Sequence, residues 1–251
     1  MRILVTNDDG AGAEGILVLA RAAASLGEVK VAAPDRERSA CGHAMTLRDP
    51  LRVDPYPLEG FEAVTVNGFP VDCINVGLTL LWPEGCDLVL SGFNPGPNMG
   101  FDATYSGTVA GAMEGGINGI RSFAFSMCPF ATGAPFHFAT GERWLADNWD
   151  WLLGLPHGDH TFYNVNVPAI EYEELEGRAM TEMGRRVYED RVERREDPWG
   201  RPYFWQGGTM VAFSDREGTD IWAVTNKLVS VTPMSLDWTD HALLAQARVP
   251  I

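Results

Sequence analysis

The sequence is short of positive charge. Its 251 residues carry 19 Lys and Arg against 34 Asp and Glu, a net charge of −15. A nucleic-acid duplex or a membrane surface is therefore not expected as a partner, because both are held by clustered basic side chains. Cysteine is scarce too. Cys41, Cys73, Cys86 and Cys128 form no CxxC pair and have no histidine at zinc-ligand spacing, which speaks against a zinc module. Scattered thiols in a chain of this length read as reduced and mostly buried, as in a cytosolic protein. No apolar run approaches the ~18 residues that span a bilayer, and no charged segment leading into a long apolar one precedes Ile3. A cytoplasmic location is expected. Internal repeats and low-complexity tracts are missing as well. An anionic substrate would have to meet a local positive field, which a metal ion and backbone N–H groups can create.

What is present describes an ordinary globule, 45% hydrophobic and 21% charged, long enough for one large α/β domain. The chain is organised around its start. Ile3-Leu4-Val5 has no polar alternation, as in a strand buried on both faces of a parallel sheet. It runs into Thr6-Asn7-Asp8-Asp9-Gly10, so two adjacent carboxylates sit at the tip of the first strand, where open α/β sheets bind ligands. The two repel each other and no cation lies nearby in sequence. A divalent ion with oxygen ligands would relieve them, whereas helix capping would use only one.

The remaining pattern alternates strands and helices. Ile16–Leu26 is helix-like and closes at Gly27, and Val29–Ala33 is the second strand, ending in the Asp35–Ser39 turn. Met45–Leu47 and Leu51–Val53 read as short strands. Glu62–Asn67 alternates like a half-exposed strand, and Pro70–Leu81 reads as a helix with proline in its first turn. Asp87–Leu90 is a buried strand whose tip carries the turn-rich loop Ser91–Gly100, with Asn94 and Asn98 as neutral oxygen and N–H donors. Ser106-Gly107-Thr108 opens a small-residue helix and offers hydroxyls and free N–H groups at its positive end, an anion cradle without a Walker lysine. Ser122–Ser126 and Thr161–Pro168 read as strands, with the tryptophan-rich helix Phe138–Leu153 between them. Beyond Pro168 the composition changes. Arg185–Arg201 holds six arginines and five acids ahead of Tyr203-Phe204-Trp205, a polar hairpin-like excursion. Helix-like Thr219–Thr225, strand Leu228–Thr232 and a helix over Asp240–Val249 complete the chain. An arm and tail of mixed charge with exposed aromatics suit exchange between subunits of a homo-oligomer.

Three features compete for a role. Gly10-Ala-Gly-Ala-Glu-Gly15 matches the G-x-G-x-x-G fingerprint of NAD-binding proteins, between a strand and a helix, but would set a pyrophosphate against Asp8 and Asp9. His43, just past the Ser39 turn, is either structural or turned to the site. His157 and His160 have H-x-x-H spacing but lie in a Gly/Pro turn. The strand-tip residues make an all-oxygen shell suited to Mg²⁺, Mn²⁺ or Ca²⁺ beside an anion cradle, which argues for metal-assisted phosphoester hydrolysis.

The chain resembles the survival protein SurE family of metal-dependent 5′-nucleotidases. Thr6–Gly10, Ala33–Ser39, Ser91–Asn98, Tyr105–Val109, Asn164–Pro168, Gly184–Tyr188, Gly218–Asp220 and Val229–Pro233 match family motifs in order and spacing. Two departures are small: Phe69-Pro70 stands where Thr-Pro is usual, and Ala40 where Gly is common. The resemblance implies a Rossmann-like, doubly wound, mostly parallel sheet. A core of about 1–184 and 207–235 would be completed by an extended hairpin arm of about 185–206 and a tail of about 236–251, the latter two exchanged in a homodimer or homotetramer. It also implies one divalent ion per subunit on Asp8, Asp9, Ser39 and Asn94, phosphate contacts at Asn98, Ser106, Gly107 and Thr108, and hydrolysis of nucleoside 5′-monophosphates by metal-activated water, with Asp8 or Asp9 orienting that water. The alternatives are an NAD-binding Rossmann oxidoreductase, a zinc deacetylase using His157 or His160, and a non-catalytic nucleotide sensor.

Overall fold

The computed structural model describes residues 1–213 and 216–247, with 187–191 and 207–213 described by their backbone alone. The opening apolar run forms β1 (Arg2–Thr6), followed by α1 (Glu14–Ala23), β2 (Glu28–Pro34), β3 (Val53–Pro55) and β4 (Glu62–Val66). Next come α2 (Pro70–Leu80), β5 (Leu88–Pro95), α3 (Gly107–Ile117), β6 (Arg121–Cys128), α4 (Phe138–Leu153) and β7 (Thr161–Pro168). The chain finishes with β8 (Gly177–Met180), β9 (Arg186–Glu196), β10 (Pro202–Phe213), α5 (Asp220–Thr225), β11 (Leu228–Ser235) and α6 (His241–Ala247).

Among the described residues nine strands make one sheet, in the order β3-β4-β2-β1-β5-β6-β7-β11-β8. From β4 through β7 all neighbours are parallel, while β3 and β11 run against β4 and β7. The chain leaves β1 towards β2 and β4, then returns to β5 on the other side of β1. The gap between the carboxyl ends of β1 and β5 is thus a topological switch point, where open sheets of this type open a crevice.

Period-2 alternation sorts the apolar side chains into two layers. Ile3, Val5, Val31, Leu90 and Phe125 pack with α1 and α4, while Leu4, Ala32, Val66 and Val89 pack with α2. Ile3, Leu4 and Val5 are wholly buried, each contributing about 1.5–3 kcal/mol. The tryptophan-rich helix α4 does pack on the sheet: Trp149 lies edge-on to Phe125 and its indole N–H donates to the Ala22 carbonyl at 3.0 Å.

A row of glycines sets α3 deep against the sheet. A Cβ at Gly111 would stand 2.8 Å from Ser91 Oγ and Thr6 Cγ2, and one at Gly115 would stand 2.2 Å from Ser122 Oγ. Glycine weakens a helix by up to about 1 kcal/mol per site relative to alanine, so the row is maintained by close approach. The helix head is thereby driven into the crevice.

The structure corrects two local expectations. Met45–Leu47 forms no strand; the Thr46 N–H is drawn instead to the Asp72 carboxylate at 3.0 Å. The strand expected at Leu51–Val53 begins only at Val53. Glu62–Asn67 is half exposed as expected: Ala63, Val64 and Val66 are buried, Thr65 is half-buried, and Glu62 and Asn67 are exposed. Strand β8 carried no sequence signal. The paired strands β9 and β10 form a separate two-stranded sheet that runs to Phe213. The last turn expected to reach Val249, and the end of the expected tail, lie outside the described residues. No described helix is long and apolar enough to cross a membrane.

Candidate active site

The first strand ends in a loop that its own side chains lock. Asn7, fully buried, donates through Nδ2 to the Gly10 carbonyl at 2.9 Å and accepts the Gly10 N–H at 3.2 Å. The Asp8 carbonyl accepts the Arg38 N–H at 2.7 Å, tying this loop to the Asp35–Ser39 turn. Asp8 and Asp9 therefore have little freedom, and neither has a basic side chain as hydrogen-bond partner. Burial pushes the Asp8 carboxyl up, against a hydrogen bond from Thr108 that lowers it. The Asp9 carboxyl is pushed up to about 7, first by burial and then by the charges of Asp8 and Glu37. Its Oδ2 is buried with no hydrogen-bond partner.

Helix α3 brings the third component. Ser106 is its N-cap, accepting the Val109 N–H at 3.1 Å. Thr108, also fully buried, donates its hydroxyl to Asp8 Oδ1, and the same hydroxyl lies 3.4 Å from Asn94 Oδ1 at the tip of β5. Gly107 lies flat on Asp8. A polar cavity of about 200 Å³ opens here, lined by Asp8, Ser39, Asn94, Asn98, Asp102 and Ser106.

Asn98 is fixed from the neighbouring strands. Its N–H donates to Asn166 Oδ1 at 3.0 Å, its carbonyl accepts from Asn164 and Asn166, and its amide donates to Ser126 at 2.8 Å. Ser39 lines the cavity, but its hydroxyl turns to Glu37 Oε1 at 2.7 Å. The structure thus gathers Asp8, Asn94, Asn98, Ser106, Gly107 and Thr108 tightly, sets Asp9 beside them, and leaves Ser39 at the rim.

Several residues were given no site role from the sequence, although most stand in the quoted motifs. Asn7 follows β1, while Ser126, Asn164 and Asn166 lie within β6 and β7; all four are buried polar side chains, a signal visible only as polar residues ending or interrupting apolar runs. Asp220 is another. Its carboxylate accepts the N–H groups of Gly100, Gly184 and Ile221 at 2.7–2.8 Å, clamping the turn at Gly100–Thr104 that carries cavity residue Asp102. Arg186 pairs with Asp102 at 2.6 Å.

Other candidates are set aside by position. His157 and His160 precede β7, at the sheet edge opposite the carboxyl ends, away from Asp8. His43 is not in the polar cavity; its Nε2 lies 3.0 Å from the Glu114 carboxylate. Cys41, beside Gly107, is no ready thiolate, since burial and then the charge of Asp8 push its thiol up to about 11. The glycines of the G-x-G-x-x-G match have other uses. Gly10 takes φ +98°, and a Cβ at Gly15 would stand 2.0 Å from the Phe93 carbonyl oxygen, so this glycine allows α1 to touch β5.

Among the described residues no group of three or more His, Cys, Asp or Glu could hold a metal. A divalent ion here would instead take two carboxylates with neutral oxygens, and the orphaned Asp9 oxygen beside the buried Asp8 carboxyl fits that role.

These features define a class: a doubly wound α/β protein with a carboxylate-rich, all-oxygen site and a helix-head anion cradle at its switch point. The family model described as Survival protein SurE matches residues 3–190. A protein from Geobacter sulfurreducens named 5′-nucleotidase SurE is 46% identical over 250 residues, covering 98% of this chain and 92% of its own. One of the same name from Pelobacter propionicus is 46% identical over 242 residues, covering 96% of each. The crystal structure of the SurE protein from Aquifex aeolicus superposes with a TM-score of 0.83 at 41% identity, over 98% of this chain and 97% of that one. The chain belongs to the SurE family.

Proposed function

We propose that this protein is a divalent-metal-dependent 5′-nucleotidase that hydrolyses nucleoside 5′-monophosphates to nucleoside and phosphate. The observation that carries the reading is the Thr108 hydroxyl bound to Asp8, which locks the head of an anion-binding helix against a carboxylate pair in need of a cation. The relatives named 5′-nucleotidase SurE supply the substrate class.

Asp8, Asp9, Ser39 and Asn94 would hold one Mg²⁺, Mn²⁺ or Ca²⁺ per subunit. When bound, such an ion neutralises the two carboxylates and supplies Lewis acidity, which lowers the pKa of water. The chain does the rest. The free N–H groups at the start of α3 and the Asn98 amide bind the phosphate, and the positive helix terminus favours its charge. As phosphorus passes through its in-line transition state, the Ser106 hydroxyl and the helix N–H groups stabilise charge on the equatorial oxygens. Asp8 is turned towards Thr108, which leaves Asp9 to orient the attacking water and take its proton. Asn164 and Asn166 hold Asn98 still, so binding costs little reorganisation.

We further read residues about 185–206 and 236–251 as an arm and tail that join copies in a homodimer or homotetramer. Trp199, Phe204, Trp205 and Trp238 are each at least 59% exposed on these segments. Light scattering on the purified chain tests that reading, and a monomer at micromolar concentration would end it. A cytoplasmic site of action fits the reduced cysteines.

The function is tested by phosphate release from a panel of nucleoside monophosphates, with EDTA and then with added Mg²⁺, Mn²⁺ or Ca²⁺. Release that stops with EDTA and returns with metal is expected. Folded protein that binds a nucleotide but releases no phosphate with any ion would instead be a sensor.

A further inference from the structure

Ser106 is a wall of two cavities. One is the polar cavity above; the other, of about 290 Å³, takes no part in the phosphate chemistry. Met113, Phe162, Met183 and Met234 give the second cavity an apolar lining, with His43 and Trp238 also on its wall. Trp238, on the tail read above as joining copies, lies at the cavity's edge.

His43 is held there with unusual care. Its Nε2 lies 3.0 Å from Glu114 Oε2, and the other Glu114 oxygen accepts from Asn75 Nδ2 at 2.9 Å. Glu114, on α3, is only 4% exposed. The loop that carries His43 is pinned on either side, by Gly42 N–H to the Tyr105 carbonyl at 2.8 Å and by Thr46 to Asp72. Burying a carboxylate is costly unless it is well partnered. Nothing in phosphate binding or metal binding calls for this one. Its evident effect is to fix one imidazole, Nε2 inward, on the wall of an apolar pocket, leaving Nδ1 for whatever enters.

We infer that this second cavity receives the nucleoside half of the substrate and that His43 is the residue that determines specificity there, hydrogen-bonding the base or sugar through Nδ1. The inference rests on the phosphatase reading given above. A phosphate at the head of α3 would lie beside Ser106, the residue that both cavities share. Beyond Ser106 lie apolar surface and one oriented polar group, the mixture that small-molecule sites use. The volume lies just below the range for drug-sized sites, about 300–1,000 Å³, and so favours one base and sugar over a dinucleotide.

The test compares kcat/KM for a nucleoside monophosphate with that for p-nitrophenyl phosphate, a small ester without base or sugar. Two variants are used, His43→Ala and Thr104→Trp. Thr104 is exposed at the cavity, so a larger ring there fills the space without entering the core. The ratio is expected to fall at least tenfold in both, through KM in His43→Ala, with part recovered in His43→Gln. A nucleoside without phosphate should inhibit the wild type competitively and Thr104→Trp weakly. A ratio unchanged within twofold in both active variants would overturn the inference. So would no inhibition of the wild type by nucleoside, as when a second copy of the chain fills the cavity. Loss of discrimination in Tyr105→Ala instead would place the base on that exposed ring and also overturn it. Wild-type protein inactive on both esters with every metal overturns the phosphatase reading and this inference together.

Discussion

A Cβ placed on Gly107 would stand 2.7 Å from Asp8 Cβ and 2.8 Å from Asp8 Oδ2. The helix head and the carboxylate are therefore in contact with no side chain between them. Gly107→Ala adds helix propensity worth up to about 1 kcal/mol but overpacks the site, at a cost of about 1–3 kcal/mol. Net stability should change by less than about 2 kcal/mol. Phosphate release should fall about 100-fold, because a shift on the order of 1 Å at a reacting centre costs that much. Thermal melts beside initial rates check both halves.

Thr108→Val keeps the shape and removes the hydroxyl bound to Asp8. Loss of such a supporting partner typically costs about 10–100-fold in metal affinity or activity. We expect a loss in that range, partly offset at high metal, measured by rate against metal concentration. Asp8→Asn should abolish turnover while the metal-free protein remains folded and no less stable, since a buried carboxylate without a counter-cation is removed. Full activity in Asp8→Asn would end the scheme.

Asp9 predicts a pH effect of definite sign. Its folded carboxyl titrates near 7, against an ordinary value of 3.8. Between those values the folded, metal-free protein keeps a proton that the unfolded chain has released, so stability falls as pH rises through this window. Asp9→Asn should flatten that slope in melts recorded with EDTA. For the same reason apparent metal affinity should weaken on acidification below about pH 7, as the proton competes for the ligand. Calorimetric metal titrations at two pH values check this.

Asp220 predicts a graded pair. Asp220→Ala strands three N–H groups, of which two share Oδ1 and one uses Oδ2. Each unsatisfied buried group costs about 1–3 kcal/mol, so a loss of roughly 3 kcal/mol or more is expected. Asp220→Asn keeps the oxygen equivalent to Oδ1 and should lose less than half as much. Denaturant unfolding of both variants, read at constant m-value, measures the difference.

Gly15 predicts that the dinucleotide-like glycines are structural. Gly15→Ala would drive a methyl group into the Phe93 carbonyl, so it should destabilise strongly. The wild type should show no saturable NAD binding by fluorescence. Tight NAD binding would contradict the use assigned to this segment.

The sequence by itself determined the alternation of buried strands and helices, since runs such as Ile3–Val5 and Leu88–Leu90 are legible from apolarity alone. It also placed Asp8, Asp9, Asn94 and Ser106–Thr108 at strand tips and a helix head, because turn chemistry marks those ends. Met45–Leu47 misled, since its apolar side chains suggested pairing while the decisive partner, Asp72, lies 26 residues away. Only the tertiary structure decided that Gly107, Gly111 and Gly115 form one close-packed row, that Asp220 clamps two distant turns, and that His43 answers to Glu114 rather than to Asp8 or Asp9. These are relations between side chains far apart in the chain. Local periodicity reports which face a residue presents, and packing alone reports what it meets there.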